Sequence, residues 1–328
     1  MRRMIVVAFG GPEVVELRTT EDRPPSRGRV RVRVTHASLG STDALARRGG
    51  YLLQPRPGFT PGYDLVGVVE TSTRESEERG LAVGTRVAAC LPRMGAHATS
   101  IDLAPSRLVP VPEALPSEVA AALPLDLITA ALATSLAALP PGGTLLVQGA
   151  SGPVGALLVQ HARAAGHPVI GTSSARNRAA VESLGAAWVD YRGVDATARI
   201  REAAPGGVAA AVDHTGSREV RGVVASDGTV VRLSYVGRPG RERRDTASGS
   251  VATLARTLGR PRERLVSVPL FAATRPGRAR AMLAAELDRV ARGELRPPVV
   301  EVLPFADPIA AHARLDRGAA NAKLVLAM

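Results

Sequence analysis

The chain has 328 residues, a length that predicts more than one domain and fewer than three. Hydrophobic residues make up 45% and charged residues 22%, which excludes collagen, a coiled coil and wholesale disorder, while 3% aromatics leave Ala, Val and Leu to fill the core. The net charge of +12 comes from 41 arginines and one lysine scattered along the chain, without an aromatic platform for bases, so no nucleic-acid partner is expected.

The single cysteine, Cys90, excludes an internal disulfide and a thiolate zinc cluster. The apolar stretches at 144–147 and 154–159 fall far short of the ~20 residues that cross a membrane. The first residues reach a Gly-Gly-Pro turn at once and leave no room for the apolar region of a signal peptide. We therefore expect a cytoplasmic protein with no membrane partner.

The first third of the sequence predicts short β-strands. Val30, Val32 and Val34 alternate with arginines, which is the period-two pattern of a half-buried strand. A proline-rich stretch, 55–61, marks a loop, and the polar residues 75–80 predict an exposed turn. The predicted strands are 4–9, 14–18, 29–35, 64–71 and 86–89. Short strands with many turns favour a partly open barrel over a βαβ unit.

The pattern changes near Ser117, which predicts a helix N-terminus before the Ala-rich segment 119–123. From there strands and helices alternate, which predicts a doubly wound parallel sheet in an α/β protein. The predicted strands of this part are 144–148, 168–172, 188–190, 209–213 and 228–234, and the predicted helices are 126–139, 154–165, 176–184 and 196–203. A basic loop is expected over 234–250, an amphipathic helix over 275–292 and a final strand over 323–327.

Three glycines lie between an apolar strand and the start of a helix, which is the setting of the glycine-rich dinucleotide motif. Gly149 permits the tight turn, Gly152 lets the backbone approach a pyrophosphate, and Gly155 lets helix and strand pack closely. The helix N-terminus offers free N–H groups and a partial positive charge to the phosphates. An ordinary βα turn is the alternative, but the flanking alternation of strands and helices favours dinucleotide binding.

The residues after the second strand of this sheet select the cofactor. NAD sites carry an acidic residue there for the ribose 2′-hydroxyl, whereas this chain has no acid before Glu182. The hydroxyls of Ser173 and Ser174 suit a 2′-phosphate, and Arg176 and Arg178 can pair with it bidentately. NADPH is therefore predicted over NADH. The alternative is that both arginines are solvated residues at a helix start.

Several segments match one family pattern in chain order. They are Phe9-Gly10-Gly11-Pro12-Glu13, 59–67, 120–125, the glycine-rich turn at 149–155, Leu184-Gly185-Ala186, Asp190-Tyr191-Arg192 and 321–326. In this series the chain resembles the medium-chain dehydrogenase/reductase superfamily, and in particular its zinc-independent quinone oxidoreductase branch, which includes zeta-crystallin. The resemblance implies a GroES-like β-barrel catalytic domain at 1–117, a Rossmann NADPH-binding domain at 118–267 and a return to the catalytic domain at 268–328. It also implies a homodimer joined through the edges of the Rossmann domains.

The resemblance further implies which residues hold the cofactor. Tyr191 matches the tyrosine that contacts the 2′-phosphate in that branch, and Lys323 matches a lysine near the cofactor in the tail. For Lys323, a surface charge at a strand start is the alternative. The other residues predicted to contact the cofactor are Ser151, Pro153, Val154, Thr129, Tyr235 and Asn321.

The sequence departs from its relatives around the substrate. Zinc-dependent relatives need a cysteine, a histidine and a second cysteine, because a Lewis-acid site needs three protein ligands. Here Tyr63 stands in the histidine position and Cys90 has no partner, so no metal is predicted. The quinone reductase pattern carries an Asn and a Tyr where this chain has Gly40 and Leu45, and of that segment only Asp43 is retained.

Four side chains are candidates for catalysis, namely Asp43, Tyr51, Tyr63 and Asp126. The Asp126 carboxyl could act as a general acid or base if burial raised its pKa. The alternative is that Asp126 caps a helix over 127–139. Tyr51 and Tyr63 could donate a proton or orient a carbonyl, and the alternative for both is packing in the barrel core.

These observations predict a zinc-independent, NADPH-dependent reductase in bacterial specialised metabolism. Its small-molecule substrate would be an activated C=C bond (an enone or enoyl group) or a quinone. Hydride would add to the electrophilic carbon, and the resulting enolate or phenolate would be stabilised without a metal. The altered residues Gly40, Leu45 and Asp126 leave open a non-redox cyclase or isomerase on the same scaffold. A protein that binds NADPH without catalysis is the third hypothesis.

Overall fold

The computed structural model describes residues 1–21, 23–235, 240–318 and 322–328. The strands in these residues are β1 (Arg2–Val6), β2 (Val15–Thr19), β3 (Val30–Leu39), β4 (Asp64–Val69), β5 (Arg86–Cys90), β6 (Ser100–Leu103), β7 (Val109–Pro110), β8 (Leu145–Val147), β9 (Val169–Ser173), β10 (Ala187–Asp190), β11 (Val208–Asp213), β12 (Val224–Arg232), β13 (Arg262–Leu265), β14 (Val299–Pro304) and β15 (Ala322–Ala327). The α-helices are α1 (Ser41–Arg47), α2 (Arg74–Glu78), α3 (Ser117–Ala121), α4 (Pro124–Ala137), α5 (Pro153–Ala164), α6 (Arg178–Ser183), α7 (Ala196–Ala203), α8 (Glu242–Ala255), α9 (Val268–Thr274), α10 (Pro276–Ala291) and α11 (Pro308–Asp316). None of these helices combines the length and the apolar character that a bilayer crossing requires.

The chain divides into two compact units. The barrel unit consists of Met1–Ile128 and Val268–Met328, and the sheet unit consists of Thr129–Ser267. Each unit has a hydrophobic core of its own, built mainly from Val, Leu, Ile and Ala, as the low aromatic content predicts.

A mostly antiparallel sheet forms the barrel unit, with the strand order β14-β15-β3-β4-β5-β7 and with β6 paired to β3 beside this path. Val30, Val32 and Val34 of β3 are buried in the core, as their period-two spacing predicts. β3 continues past the predicted end to Leu39, because a register shift after Val34 lets its second half pair with β15. The irregular sheet confirms the predicted GroES-like barrel fold.

Two segments expected to be irregular contain helices. The predicted turn at 75–80 is largely occupied by α2, whose N-terminus is capped by Thr73, since the Thr73 hydroxyl accepts a hydrogen bond from the Ser76 N–H at 3.2 Å. The sequence did not indicate the Thr73–Ser76 cap, because the residues around it are also polar. The loop expected over 234–250 is wrong from Glu242 onward, where α8 begins. Residues 236–239 of that segment lie outside the described residues.

The sheet unit contains six parallel strands in the order β10-β9-β8-β11-β12-β13. Strands β8, β9 and β10 follow one another toward one edge of the sheet, and β11, β12 and β13 follow one another toward the other edge. This confirms the predicted doubly wound sheet. The reversal between β8 and β11 is the topological switch point, where such sheets bind ligands at the carboxyl ends of their strands.

Buried charges connect the last three strands of the sheet unit. Asp213 ends β11 and Arg232 ends β12, and they form an ion pair with an Nη1–Oδ2 distance of 2.5 Å. Glu263 on β13 accepts hydrogen bonds from Arg221 at 2.5 Å and from the Thr253 hydroxyl at 2.9 Å. Burial alone would raise the pKa of Glu263, but these donors and the Arg232 charge together lower it.

We expect Asp213→Ala to lower the free energy of unfolding by about 3 kcal/mol, because it leaves the buried Arg232 guanidinium without its closest carboxylate. Arg232 is 2% exposed, so water cannot replace the lost partner. Urea unfolding followed by circular dichroism measures this loss. The matched control is Asp227→Ala on the exposed part of β12, expected to stay within about 0.5 kcal/mol of the wild type. Equal losses in the two variants would contradict the prediction.

Candidate functional site

The glycine-rich turn joins β8 to α5 at the switch point of the sheet. Gly149 has a φ of +68°, in the left-handed region that favours glycine, and its carbonyl accepts the Gly152 N–H at 3.0 Å. A β-carbon at Gly155 would lie 2.1 Å from the Gly149 oxygen. No other residue fits at Gly155 without moving the helix, whereas a β-carbon at Gly152 would come no closer than 3.4 Å to the same oxygen.

The start of α5 faces this turn. Gly152 is its N-cap, and Pro153 occupies the first helical position, where the missing N–H is not needed for the helix. The N–H groups of the first turn, which includes Val154 and Gly155, have no partner within a helix and are suited to a phosphate. Ser151 accepts a hydrogen bond from the Asn177 side chain at 3.0 Å, which ties the glycine turn to the segment that follows β9. These residues fit the diphosphate of a dinucleotide.

At the end of β9 the two predicted serines are buried. The Ser173 hydroxyl donates to the Ser174 carbonyl at 3.1 Å and accepts from the Trp188 indole N–H at 3.0 Å. Its hydrogen is therefore used inside the protein and is not directed at a 2′-phosphate. The sequence did not indicate this pairing, because Trp188 lies on the neighbouring strand β10.

The two predicted arginines after β9 differ in their surroundings. Arg178 lies over the Trp188 ring, 5.1 Å from its centroid, and forms an ion pair with Glu182 at 2.9 Å. Arg176 is exposed, and within the described part of the chain no hydrogen bond or ion pair holds its side chain. Arg176 is thus the guanidinium of this segment that can turn toward an anion without breaking another contact.

Tyr191 follows β10, the strand beside β9, and its ring is 54% exposed. The Arg192 guanidinium lies over that ring at 5.4 Å from the centroid and donates to the tyrosine hydroxyl at 3.2 Å. Sequence reasoning assigned no role to Arg192. Its place beside Tyr191 in the Asp-Tyr-Arg segment was the signal that could have identified it.

The remaining predicted cofactor residues are less exposed or lie outside the structure. Thr129 is half-buried within α4. The Tyr235 hydroxyl is hydrogen-bonded to the Thr253 hydroxyl, next to the buried ion network, and burial raises the pKa of this phenol. Asn321 lies outside the described residues.

The barrel unit brings together three charged side chains from separate elements. Lys323 on β15 donates to Asp126 Oδ2 at 2.7 Å, with side chains 11% and 7% exposed. Asp64 on β4 is fully buried and accepts from the Ser38 hydroxyl at 3.1 Å and the Leu125 N–H at 3.0 Å. We call Lys323, Asp126 and Asp64 the carboxylate–lysine cluster. Among the described residues, no three or more His, Cys, Asp or Glu side chains are grouped as metal ligands would be.

This cluster corrects two of the alternatives drawn from the sequence. Asp126 does not cap a helix over 127–139, because α4 begins at Pro124 and the carboxylate faces the ammonium. Lys323 is not a surface charge, because its side chain is largely buried against Asp126. Asp64 was not assigned a role from the sequence, although it lies in the family segment 59–67.

Burial and neighbouring charge shift the ionisation of the cluster. Burial raises the pKa of Asp64 to about 7, although the Lys323 charge opposes the shift. Burial alone would lower the pKa of Lys323, but the Asp126 and Asp64 carboxylates outweigh it and raise this pKa. The Cys90 thiol is also buried, and burial and Asp64 raise its pKa well above the usual value. Cys90 is therefore held as a neutral thiol.

Both carboxylate oxygens of Asp43 accept hydrogen bonds from backbone N–H groups. Oδ2 accepts from the Gly40 N–H at 2.8 Å, and Oδ1 accepts from the Gly62 N–H at 2.8 Å. The side chain thereby fixes the start of α1 against the loop that leads into β4. This arrangement favours a positioning role for Asp43 over the catalytic role predicted from the sequence.

The structure pairs the two predicted tyrosines. The hydroxyls of Tyr51 and Tyr63 lie 3.0 Å apart, and the rings meet edge to face with centroids 6.3 Å apart. Burial raises the pKa of both phenols, so both keep their protons at neutral pH. One hydroxyl donates to the other, so one hydrogen of the pair remains. Tyr63 is 4% exposed and belongs to the barrel core, and Tyr51 packs against it, in agreement with the packing alternative.

Comparisons with known proteins agree with this architecture. Residues 26–113 match the alcohol dehydrogenase GroES-like domain, and residues 184–326 match the zinc-binding dehydrogenase family. The quinone oxidoreductase of Pseudomonas aeruginosa is 34% identical over 208 residues, which are 62% of this chain and 63% of that protein. The VAT-1 homolog of Danio rerio, a synaptic vesicle membrane protein, is 31% identical over 66% of this chain and 45% of its own length. The chain thus spans about half to two thirds of these relatives.

Solved structures extend the similarity over the whole chain. The quinone oxidoreductase of Pseudomonas syringae pv. Tomato DC3000 matches with a TM-score of 0.81 and 26% identity, covering 100% of this chain and 99% of that one. The JamJ enoyl reductase matches with a TM-score of 0.84 over 100% and 99% of the two chains, and its 19% identity shows the fold alone.

A GroES-like unit combined with a doubly wound sheet and a glycine-rich turn defines the class of the medium-chain dehydrogenases/reductases. The chain belongs to this superfamily, in its quinone oxidoreductase-like branch. This confirms the family resemblance seen in the sequence.

We expect Gly155→Ala to lower the free energy of unfolding by about 1–3 kcal/mol, because the new methyl group would collide with the Gly149 carbonyl. Urea unfolding measures the loss. Gly152→Ala is the matched control in the same turn, and its added methyl has room, so it should change stability by less than about 0.5 kcal/mol. A Gly155→Ala protein as stable as the control would contradict the close packing described here.

Proposed function

We propose that the protein is an NADPH-dependent oxidoreductase that reduces a quinone or an activated C=C bond, such as that of an enone or enoyl group. The observation that carries the proposal is the glycine-rich turn at the switch point, where the contact between Gly155 and the Gly149 carbonyl leaves space for no side chain. Quinone oxidoreductases among the relatives support the reaction class. The proposal extends to a homodimer, as the family resemblance implies, and to a cytoplasmic protein of bacterial specialised metabolism, as the single cysteine and the composition indicate.

The chain's own residues would hold the cofactor in the sheet unit. The N–H groups at the start of α5 would bind the diphosphate. Arg176, with Arg192 and Tyr191 at the end of the neighbouring strand, would bind a 2′-phosphate, because guanidinium groups pair with phosphate oxygens bidentately. When bound, NADPH supplies the hydride for the reduction.

The barrel unit supplies the groups that suit the substrate. Addition of hydride to a quinone or enone leaves a negative charge on oxygen, and hydrogen-bond donors aimed at that oxygen lower the barrier. The Tyr51–Tyr63 pair would offer a donor of this kind through the half-buried Tyr51, since both phenols stay neutral. The Asp43 carboxylate would hold the segment around Gly62 in place through its backbone hydrogen bonds.

The test combines activity with one substitution in the glycine turn. The wild-type protein should oxidise NADPH in stoichiometry with reduced product when offered a panel of quinones and α,β-unsaturated ketones. Gly152→Asp should weaken NADPH binding by at least about a hundredfold and abolish turnover, because a carboxylate would face the diphosphate. Calorimetry measures the binding, and NADPH absorbance measures the turnover.

The control for this test is Gly206→Asp, which adds the same carboxylate at an exposed glycine outside the turn, with open space for a side chain, and should bind NADPH as the wild type does. Unchanged NADPH affinity in a folded Gly152→Asp protein would refute the binding site. Product formation from an offered substrate without NADPH oxidation would refute the reductase and favour a cyclase or isomerase instead.

Arg176 should decide between the two pyridine nucleotides. We expect Arg176→Ala to raise the KM for NADPH by about tenfold and to leave the KM for NADH within about twofold, because only NADPH carries the 2′-phosphate. Steady-state kinetics with both cofactors measures the two values. Arg199→Ala, an exposed arginine on α7, is the control and should change neither. Parallel changes for NADPH and NADH would count against the assignment.

A further inference from the structure

One histidine of the sheet unit lies directly against the glycine-rich turn. A β-carbon built at Gly149 would lie 2.6 Å from Cε1 of His214. Since a carbon–carbon bond measures about 1.5 Å, the ring lies within about 4 Å of the Gly149 α-carbon, which is van der Waals contact. His214 is exposed, and within the described part of the chain neither ring nitrogen has a hydrogen-bond or ion-pair partner. The imidazole thus covers the turn and is accessible to a ligand from solvent.

His214 also lies at the switch point of the sheet. It follows Asp213, the last residue of β11, while the glycine-rich turn follows β8, the strand with which β11 pairs. The strand order reverses between these two strands. A dinucleotide bound at a switch point lies outside the carboxyl ends of the strands, with its diphosphate at the start of the helix. The turn therefore forms one side of this crevice and His214 forms the other.

Hydrogen bonds fix the backbone that carries this imidazole. The His214 carbonyl accepts the Ser234 hydroxyl at 2.8 Å, which ties it to the segment after β12. The Asp213 carboxylate accepts the Thr215 N–H at 3.0 Å and the Gly216 N–H at 2.7 Å, which closes the chain into a turn after β11. Because the backbone is already ordered, little conformational freedom is lost when the ring binds a ligand.

The elements that contact His214 bring no unbalanced charge to its ring. Residues 149–155 have no charged side chain, and Ser234 is neutral. The Asp213 charge is balanced by the buried Arg232 guanidinium at 2.5 Å. Histidine is the side chain whose charge changes between pH 5 and 8, and an anion beside the ring favours its protonated form. The charge of the imidazole would therefore respond to an anionic ligand in the crevice.

We infer that His214 is a further residue of the proposed cofactor site, where its imidazolium pairs with the diphosphate and couples nucleotide binding to the uptake of a proton. This inference rests on the proposed function. Where the free protein holds the ring neutral, binding draws a proton from solvent onto its second nitrogen, and both N–H groups then become donors. NADPH and NADH share the diphosphate, so His214 should serve both nucleotides equally, whereas Arg176 should distinguish them.

The pH dependence of nucleotide binding tests this role without any turnover. A hydrogen bond between charged groups contributes about tenfold in affinity, so the wild type should bind NADH about fivefold more tightly at about pH 6 than at about pH 8. NADH is the cleaner probe, because the 2′-phosphate of NADPH changes its own charge in this range. Titration calorimetry measures the Kd and, in buffers of different ionisation enthalpy, the protons taken up on binding.

Two substitutions separate the charge at this position from the ring that carries it. His214→Asn should bind both nucleotides about tenfold more weakly than the wild type at about pH 6 and take up fewer protons with NADH. His214→Arg carries a positive charge at every physiological pH, so its affinity for NADH should be equal at both pH values. The control is His167→Asn, just beyond the opposite end of α5, which should bind as the wild type does.

The outcomes distinguish the role of His214 from the cofactor site itself. Equal affinity and equal proton uptake in the wild type and His214→Asn would overturn the inference, while nucleotide binding by both proteins would still support the proposed site. A His214→Arg protein that binds as weakly as His214→Asn would overturn the charge pairing with the diphosphate. A wild type that binds neither nucleotide at either pH would refute the proposed function and the role of His214 together.

Discussion

The close packing of α5 against the Gly149 carbonyl is the constraint on which the sheet unit depends. With only 2.1 Å available to a β-carbon, Gly155 lets the helix begin directly at the end of β8. The helix start is thereby placed at the reversal between β8 and β11, where its free N–H groups face the ligand side of the sheet. The same region is organised further by Trp188, which binds the Ser173 hydroxyl and lies against Arg178.

Both units bury ion pairs with guanidinium groups, and the barrel unit buries an ammonium as well. In the sheet unit, Asp213 and Glu263 are paired with guanidinium groups, which do not give up a proton at any physiological pH. In the barrel unit, Asp316 pairs with the fully buried Arg47 guanidinium, and Asp126 pairs with the Lys323 ammonium. The one lysine of the sequence thus forms a buried ion pair beside those that arginine forms.

Local patterns in the sequence predicted most of the fold, because strand alternation and the glycine-rich turn express steric demands that lie close together in the chain. The helix α2 was missed, since its Thr73 cap lies within a uniformly polar segment. Pairings such as Lys323 on β15 with Asp126 on α4 depend on elements that meet only in three dimensions, and no spacing rule encodes them. The arginine assignments were limited by composition, because with 41 arginines no single one stands out before the structure shows its neighbours.

The buried ion network at the ends of β11, β12 and β13 also separates two responses to dissolved salt. Mobile ions screen charges that water reaches, so the mutual repulsion within a chain of net charge +12 weakens as ionic strength rises. Asp213 and Arg232 are sealed from those ions, and their attraction persists. A concentrated electrolyte would therefore weaken the repulsion among the exposed positive charges and leave the buried ion pairs between these strands intact.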